Sequence, residues 1–128
     1  MDTRTRLGLL LAFAVALSAR SAAAQAPAGV TPALIAQGDS IFHGKGNCYA
    51  CHGANAEGTV GPNLTDAEWL HSDGSYAAIV KQVTTGVPKE QSKSGIVMPP
   101  RGGSTITDDE VKAVAAYVYS LSHKKSGA

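Results

Sequence analysis

The chain has 128 residues, 44% of them apolar but only 5% aromatic, with 11 basic and 10 acidic side chains. That length provides for one small domain with a thin core. The even charge balance gives no reason to expect a nucleic acid or an acidic membrane surface as partner.

The chain opens on Arg4 and Arg6, followed by the apolar run Leu7 to Leu17 and by Ala22-Ala23-Ala24. A positive start, a short apolar stretch and a small-x-small site together predict a secretory signal peptide over residues 1–24, cleaved after Ala24. The 11 residues of the apolar run are too few for a membrane helix, which needs about 20; Arg20, close to the cut, keeps an uncleaved anchor as the competing reading. No Cys stands directly after the cleavage site and no twin-arginine pair is present, so export of an unfolded chain is expected, with no lipid attached there. The mature chain would hold 104 residues, 8 basic and 9 acidic. Residues 25–30 read as a flexible lead, and residues 31–128 as the domain.

Thr31 as N-cap and Pro32 in the first turn predict a helix that ends near His43. Its stripe is Leu34, Ile35, Gly38, Ile41 and Phe42. A mid-helix glycine costs about 1 kcal/mol against alanine, so Gly38 is expected to be a close-packing point. Gly44-Lys45-Gly46 then leads into Cys48-Tyr49-Ala50-Cys51-His52. This Cys-x-x-Cys-His run is an attachment site for a c-type haem. Two residues between the thiols on a helical turn present both to neighbouring vinyl groups. The next residue, His52, is then held where its imidazole can ligate the iron. A zinc site would need a second Cys pair, and a redox dithiol needs no adjacent histidine. With both cysteines used by the haem, no structural disulfide is expected.

Gly53 to Asn63 reads as a glycine-rich loop. Thr65-Asp66-Ala67-Glu68 has capping-box spacing, which predicts a short helix through Trp69 and Leu70. A further helix is expected from about Ser75, with Tyr76, Ile79, Val80 and Val83 on one face and Gly86 at its end. Val87 to Ser104, with three prolines and three glycines, reads as loop. Thr107-Asp108-Asp109-Glu110 is a capping box with its acids at the favourable end of the last helix. Val111, Val114, Ala115, Val118 and Leu121 form that helix's buried stripe.

A haem iron bound by one histidine has a sixth position to fill. Met98 is the only thioether beyond Met1, lies 46 residues after His52, and is stiffened by Pro99 and Pro100. A core-filling methionine is the plainer alternative, and His43, His71 and His123 are the rival ligands, each expected to face solvent.

Gly38, Phe42, Cys48-x-x-Cys51-His52-Gly53, Gly61-Pro62, Met98-Pro99 and Tyr117 together resemble the class I c-type cytochromes, over roughly residues 33–121. The stretch Gly61-Pro62-Asn63-Leu64-Thr65-Asp66 with Trp69-Leu70 resembles the haem domains of haem–copper oxidase subunits. The resemblance implies an all-α fold of about four short helices wrapped around one covalent haem, with the first and last helices crossing at Gly38 and Tyr117. It also implies that Pro62 orients the proximal imidazole through its backbone oxygen, and it makes Trp69 either a donor to a haem propionate or plain core. The expected role is electron transfer in the periplasm by a monomer that meets redox protein partners transiently. A haem subunit fixed to a periplasmic dehydrogenase or membrane oxidase is the alternative. No catalytic apparatus is visible, so an enzyme is not expected.

Overall fold

The computed structural model describes residues 26–124, so the predicted signal peptide lies outside the described residues. Four α-helices follow in order: α1 (Pro32–His43), α2 (Tyr49–His52), α3 (Tyr76–Thr85) and α4 (Asp108–Ser122). The Thr31 side chain accepts from the Leu34 amide, and Ser75 caps α3 in the same way through Ala78. At α4 both halves of the capping box form between Thr107 and Glu110. These caps satisfy amides that a helix start otherwise leaves unpaired.

The core is built where α1, α3 and α4 meet. Phe42, Ile79, Val83, Val111, Val114 and Val118 are buried there together. Helices α1 and α4 cross at Gly38. A Cβ on that glycine would come within 1.9 Å of the Ala113 carbonyl oxygen and 2.8 Å of the Tyr117 Cβ. The missing side chain is therefore what lets the two backbones touch. Beside the crossing, Phe42 meets Tyr117 edge to face at 5.3 Å. The buried face of α4 is wider than its valines alone suggest, because Ala113 and Ala116 are also fully buried while Leu121 is only partly so.

Residues 65–70 form no helix, against the expectation from their capping-box spacing. The cause is Asn63. Its side-chain oxygen accepts from both the Thr65 amide at 2.8 Å and the Thr65 hydroxyl at 2.7 Å. The Glu68 amide is taken by Asp66 rather than by Thr65. Side-chain bonds of this kind offer the backbone an alternative to helix, and here they win. The stretch from Val87 to Ser104 is mainly loop, with two short 3₁₀ turns at Lys89–Gln91 and Pro100–Gly103. One isolated antiparallel bridge pairs Val87 with Met98. Among the described residues no helix is long and apolar enough to cross a membrane.

Candidate haem site

A deep cleft opens between α2, α3, α4 and the two long loops, with about 1180 Å³ of empty space, mouth included. Cys48, Cys51, His52, Pro62, Trp69 and Met98 all line it. Its inner wall is apolar, with Phe42, Ile79, Val83, Val114 and Val118, and no Lys or Arg is among the lining residues.

Helix α2 is a single turn that carries both thiols and the imidazole. Cys48 is half-buried and Cys51 exposed, and both are free of disulfide. Burial pushes the Cys48 thiol up to about 11. A reactive redox thiol is normally shifted the other way, so the environment does not favour a dithiol–disulfide couple. Nor do three or more His, Cys, Asp or Glu side chains gather as a metal-ion site among the described residues.

His52 is buried. Burial lowers its pKa, opposed by the bond to the Pro62 carbonyl, so the ring is neutral at physiological pH. Its Nδ1–H donates to the Pro62 oxygen at 2.9 Å. That sets the tautomer and leaves the Nε2 lone pair without a hydrogen-bond partner in the cleft. The chain returns to the ring through Gly61, whose amide donates to the Cys51 carbonyl at 2.8 Å. A Cβ on Gly61 would stand 3.1 Å from the His52 Cε1, so the glycine lets the loop lie against the imidazole without pressing on it.

Met98 reaches the cleft from the other long loop. Its amide donates to the Val87 carbonyl at 2.9 Å and its carbonyl accepts from the Val87 amide at 2.8 Å. This pair ties it to the end of α3. Gly86, at φ +69°, makes the join possible, because a Cβ there would lie 2.3 Å from the Met98 carbonyl oxygen. The indole of Trp69 lies over Gly74, where a Cβ would sit 2.2 Å from its Nε1.

The histidines divide. His43 stays outside, bonded to the backbone oxygens of Asp39 and Ala54 and to the Asp39 carboxylate. His123 is exposed and stacked on Tyr119. His71 departs from the expected solvent position: it is half-buried and lines the cleft, with its Nε2 accepting from the Lys93 amide at 3.0 Å. Nothing in the sequence signals that contact, which links residues 22 apart. A second lining residue the sequence conceals is Gln82, whose Oε1 is sealed from solvent without a hydrogen-bond partner.

A flat, largely apolar prosthetic group with two thiol attachment points fits these residues. The apolar wall, the adjacent thiols and a buried neutral imidazole with one free nitrogen are what a covalent porphyrin requires. The comparisons agree. Residues 33–118 match the profile of the family described as cytochrome c oxidase, cbb3-type, subunit III. The chain belongs to this family. It is 41% identical over 92 residues to the cbb3-type cytochrome c oxidase subunit CcoP of Rubrivivax gelatinosus, a match covering 71% of this chain and 27% of that protein. With subunit FixP of Rhizobium meliloti (strain 1021) it shares 42% over 103 residues, 76% of this chain and 30% of that one. The chain thus spans less than a third of the length of these relatives. Among solved structures, cytochrome cL from Methylophaga aminisulfidivorans superposes with a TM-score of 0.56 at 26% identity, covering 71% of this chain and 55% of the other. The domain described here has a class I cytochrome c fold that carries a covalent haem c through Cys48 and Cys51 and serves electron transfer.

Proposed function

We propose that the chain is an exported, periplasmic one-electron carrier whose haem iron is held by His52 and Met98. The observation that carries the reading is the cleft itself. It brings together a buried neutral imidazole with a free Nε2 and the one thioether of the described residues. A haem held there by His52 and Met98 would supply a one-electron couple, and methionine ligation would favour its reduced state. Pro62 orients the imidazole through its carbonyl and makes it a stiffer, more basic ligand. Trp69 serves a haem propionate; the residue lines the cleft and its indole N–H makes no hydrogen bond among the described residues. The apolar wall excludes water and keeps the ligands from exchanging.

Partners meet the carrier at the cleft mouth. Ile96 and Val97 are exposed there as an apolar contact, while Tyr49 is exposed beside His43, off the cleft lining. Of Lys45, Lys89, Lys93 and Arg101, which we place at its rim, Lys45 pairs with Glu110 and Arg101 with Asp108. Lys89 and Lys93 make no ion pair among the described residues, so they are the ones left to steer a partner. A small contact with a few charges suits a monomer that must also dissociate quickly. A second reading, a haem module held permanently in a larger complex, is supported by the relatives, which are named as oxidase subunits. Transport of electrons rather than catalysis is common to both.

Met98→Ala tests the ligand set. The oxidised variant should lose its sulfur-to-iron charge-transfer band, fall in potential and bind carbon monoxide when reduced, while haem-stained denaturing gels still show colour on the polypeptide. A wild-type spectrum in that variant, with loss of the band in His71→Ala, would reverse the assignment. Purification from the periplasm, asking whether haem elutes alone or with a larger partner, separates carrier from subunit. The mass of the mature chain tests cleavage after Ala24.

A further inference from the structure

The cleft has two lips, and one hydrogen bond joins them. Trp69, Leu70 and His71 line it from the loop that enters α3, and Ser94, Ile96 and Met98 from the loop that leaves it. Between the two, the Nε2 of His71 accepts from the Lys93 amide at 3.0 Å. No other hydrogen bond connects these loops among the described residues.

The methionine loop has little else to hold it. From Pro88 to Val97 its hydrogen bonds run within the stretch, from Gln91 to Pro88, Ser92 to Lys89, Gly95 to Ser92, and between the hydroxyls of Ser92 and Ser94. Lys93 is the exception. At the tip Gly95 has φ +75°, and no atom beyond its chain neighbours comes within 4 Å of where a Cβ would stand, so the turn is open on that side. Ordering such a segment costs conformational entropy at each residue. Two hydrogen-bonded points oppose that cost, the Val87–Met98 pair at the base and His71 near the tip.

The bond also sets the state of the ring. A backbone N–H only donates, so Nε2 presents its lone pair and the neutral ring carries its proton on Nδ1. A lone pair spent on Lys93 is withheld from iron, which keeps a histidine of the cleft wall from competing with Met98 for the metal.

We infer that His71 is a strap between the two lips of the cleft and the positioning residue of the methionine loop. The inference rests on the reading of Met98 as axial ligand. A ligand from solution that replaces the sulfur has to move this loop and break the Lys93–His71 bond, so the strap opposes exchange at the sixth position. The histidine side of the iron, with its separate bond to Pro62, is untouched by it.

The test uses the full oxidised holoprotein. In His71→Leu, which keeps bulk and has no acceptor, imidazole should replace Met98 with about fivefold higher affinity, the fold-change that one neutral hydrogen bond carries. In His71→Gln the side-chain carbonyl stands in for Nε2 and should restore the unaltered affinity. The sulfur-to-iron band should persist in both variants. Equal imidazole affinity in all three proteins, or a Gln variant as open as the Leu variant, overturns the inference while leaving Met98 as ligand. Absence of the band from the unaltered protein overturns the ligand assignment, and the inference with it. Because the variants could fail to take up haem, the unaltered reduced protein supplies a second measurement. Long-range proton–nitrogen correlation should show the His71 ring protonated on Nδ1 with a bare Nε2. The Lys93 amide should exchange with deuterium more slowly than that of Ser94, which has no acceptor among the described residues. A ring protonated on Nε2, or a Lys93 amide that exchanges as fast as Ser94, overturns the inference.

Discussion

Between Cys51 and Leu64 the chain folds back on itself within a few residues. The Cys51 carbonyl accepts from both the Gly61 amide and the Thr59 hydroxyl, the His52 carbonyl from Gly58, and the His52 ring bonds to Pro62. Across the cleft, the stretch from Pro88 to Pro100 is mostly exposed, and the Val87–Met98 pair is its main tie to the rest of the fold. The histidine is therefore held by several hydrogen bonds that fold one segment onto itself, and the methionine loop by the Val87–Met98 pair, which closes a loop of similar length, and by the Lys93–His71 bond. Local openings take the least protected segment first. Ligand loss on mild destabilisation should accordingly begin at the sulfur.

The largest blow to that asymmetry is Gly86→Val. The position has φ +69° and faces the Met98 carbonyl, so a branched side chain is both strained and blocked. We expect about 3 kcal/mol or more of lost stability. The sulfur-to-iron band should vanish while the covalent haem and its histidine remain, read by urea titration with absorbance. Gly61→Ala strikes the other side. Its Cβ would meet the imidazole at 3.1 Å, so the ring must shift by a few tenths of an ångström. A cost of about 1 kcal/mol is expected, with the sulfur band retained; loss of that band first would show that the two sides are coupled. Pro62→Ala is milder again, because the accepting carbonyl survives and only loop stiffness is lost, at about 0.5 kcal/mol or somewhat more.

The smallest expected effect is one of pH. His43 joins α1 to the loop after His52, with every oxygen around its ring an acceptor. The Ala54 carbonyl above all, then Asp39, raises its pKa from the ordinary 6.5. Its contribution is present in full below pH 6.5 and is lost as pH rises through the raised value. Stability measured from pH 6 to 8 should thus fall slightly in the native protein, and less in His43→Gln. An identical slope in both would remove His43 from the histidine side of the comparison.

Three of the four helices could be read in the sequence, because their caps and their stripes agree. Thr31, Ser75 and Thr107 each do in space what their spacing promised. Thr65 carried the same signal and failed, since a neighbour two residues earlier competes for its amide and hydroxyl. The attachment motif and the single methionine were equally visible, for chemistry demands those residue types. Gln82 and His71 were not. A glutamine inside an apolar period reads as an interruption, and only the packed core reveals that its oxygen has no partner.

The close approach of α1 and α4 at Gly38 has a consequence beyond holding the core. It draws the first and last elements of the domain side by side, while the residues that line the cleft lie between them, from Phe42 to Val118. Two terminal elements that pack on each other close the unit, and chain ends at a domain surface tolerate linkage to further polypeptide. The same geometry makes it a portable part: an affinity tag or a second redox module grafted at either end should leave haem uptake intact.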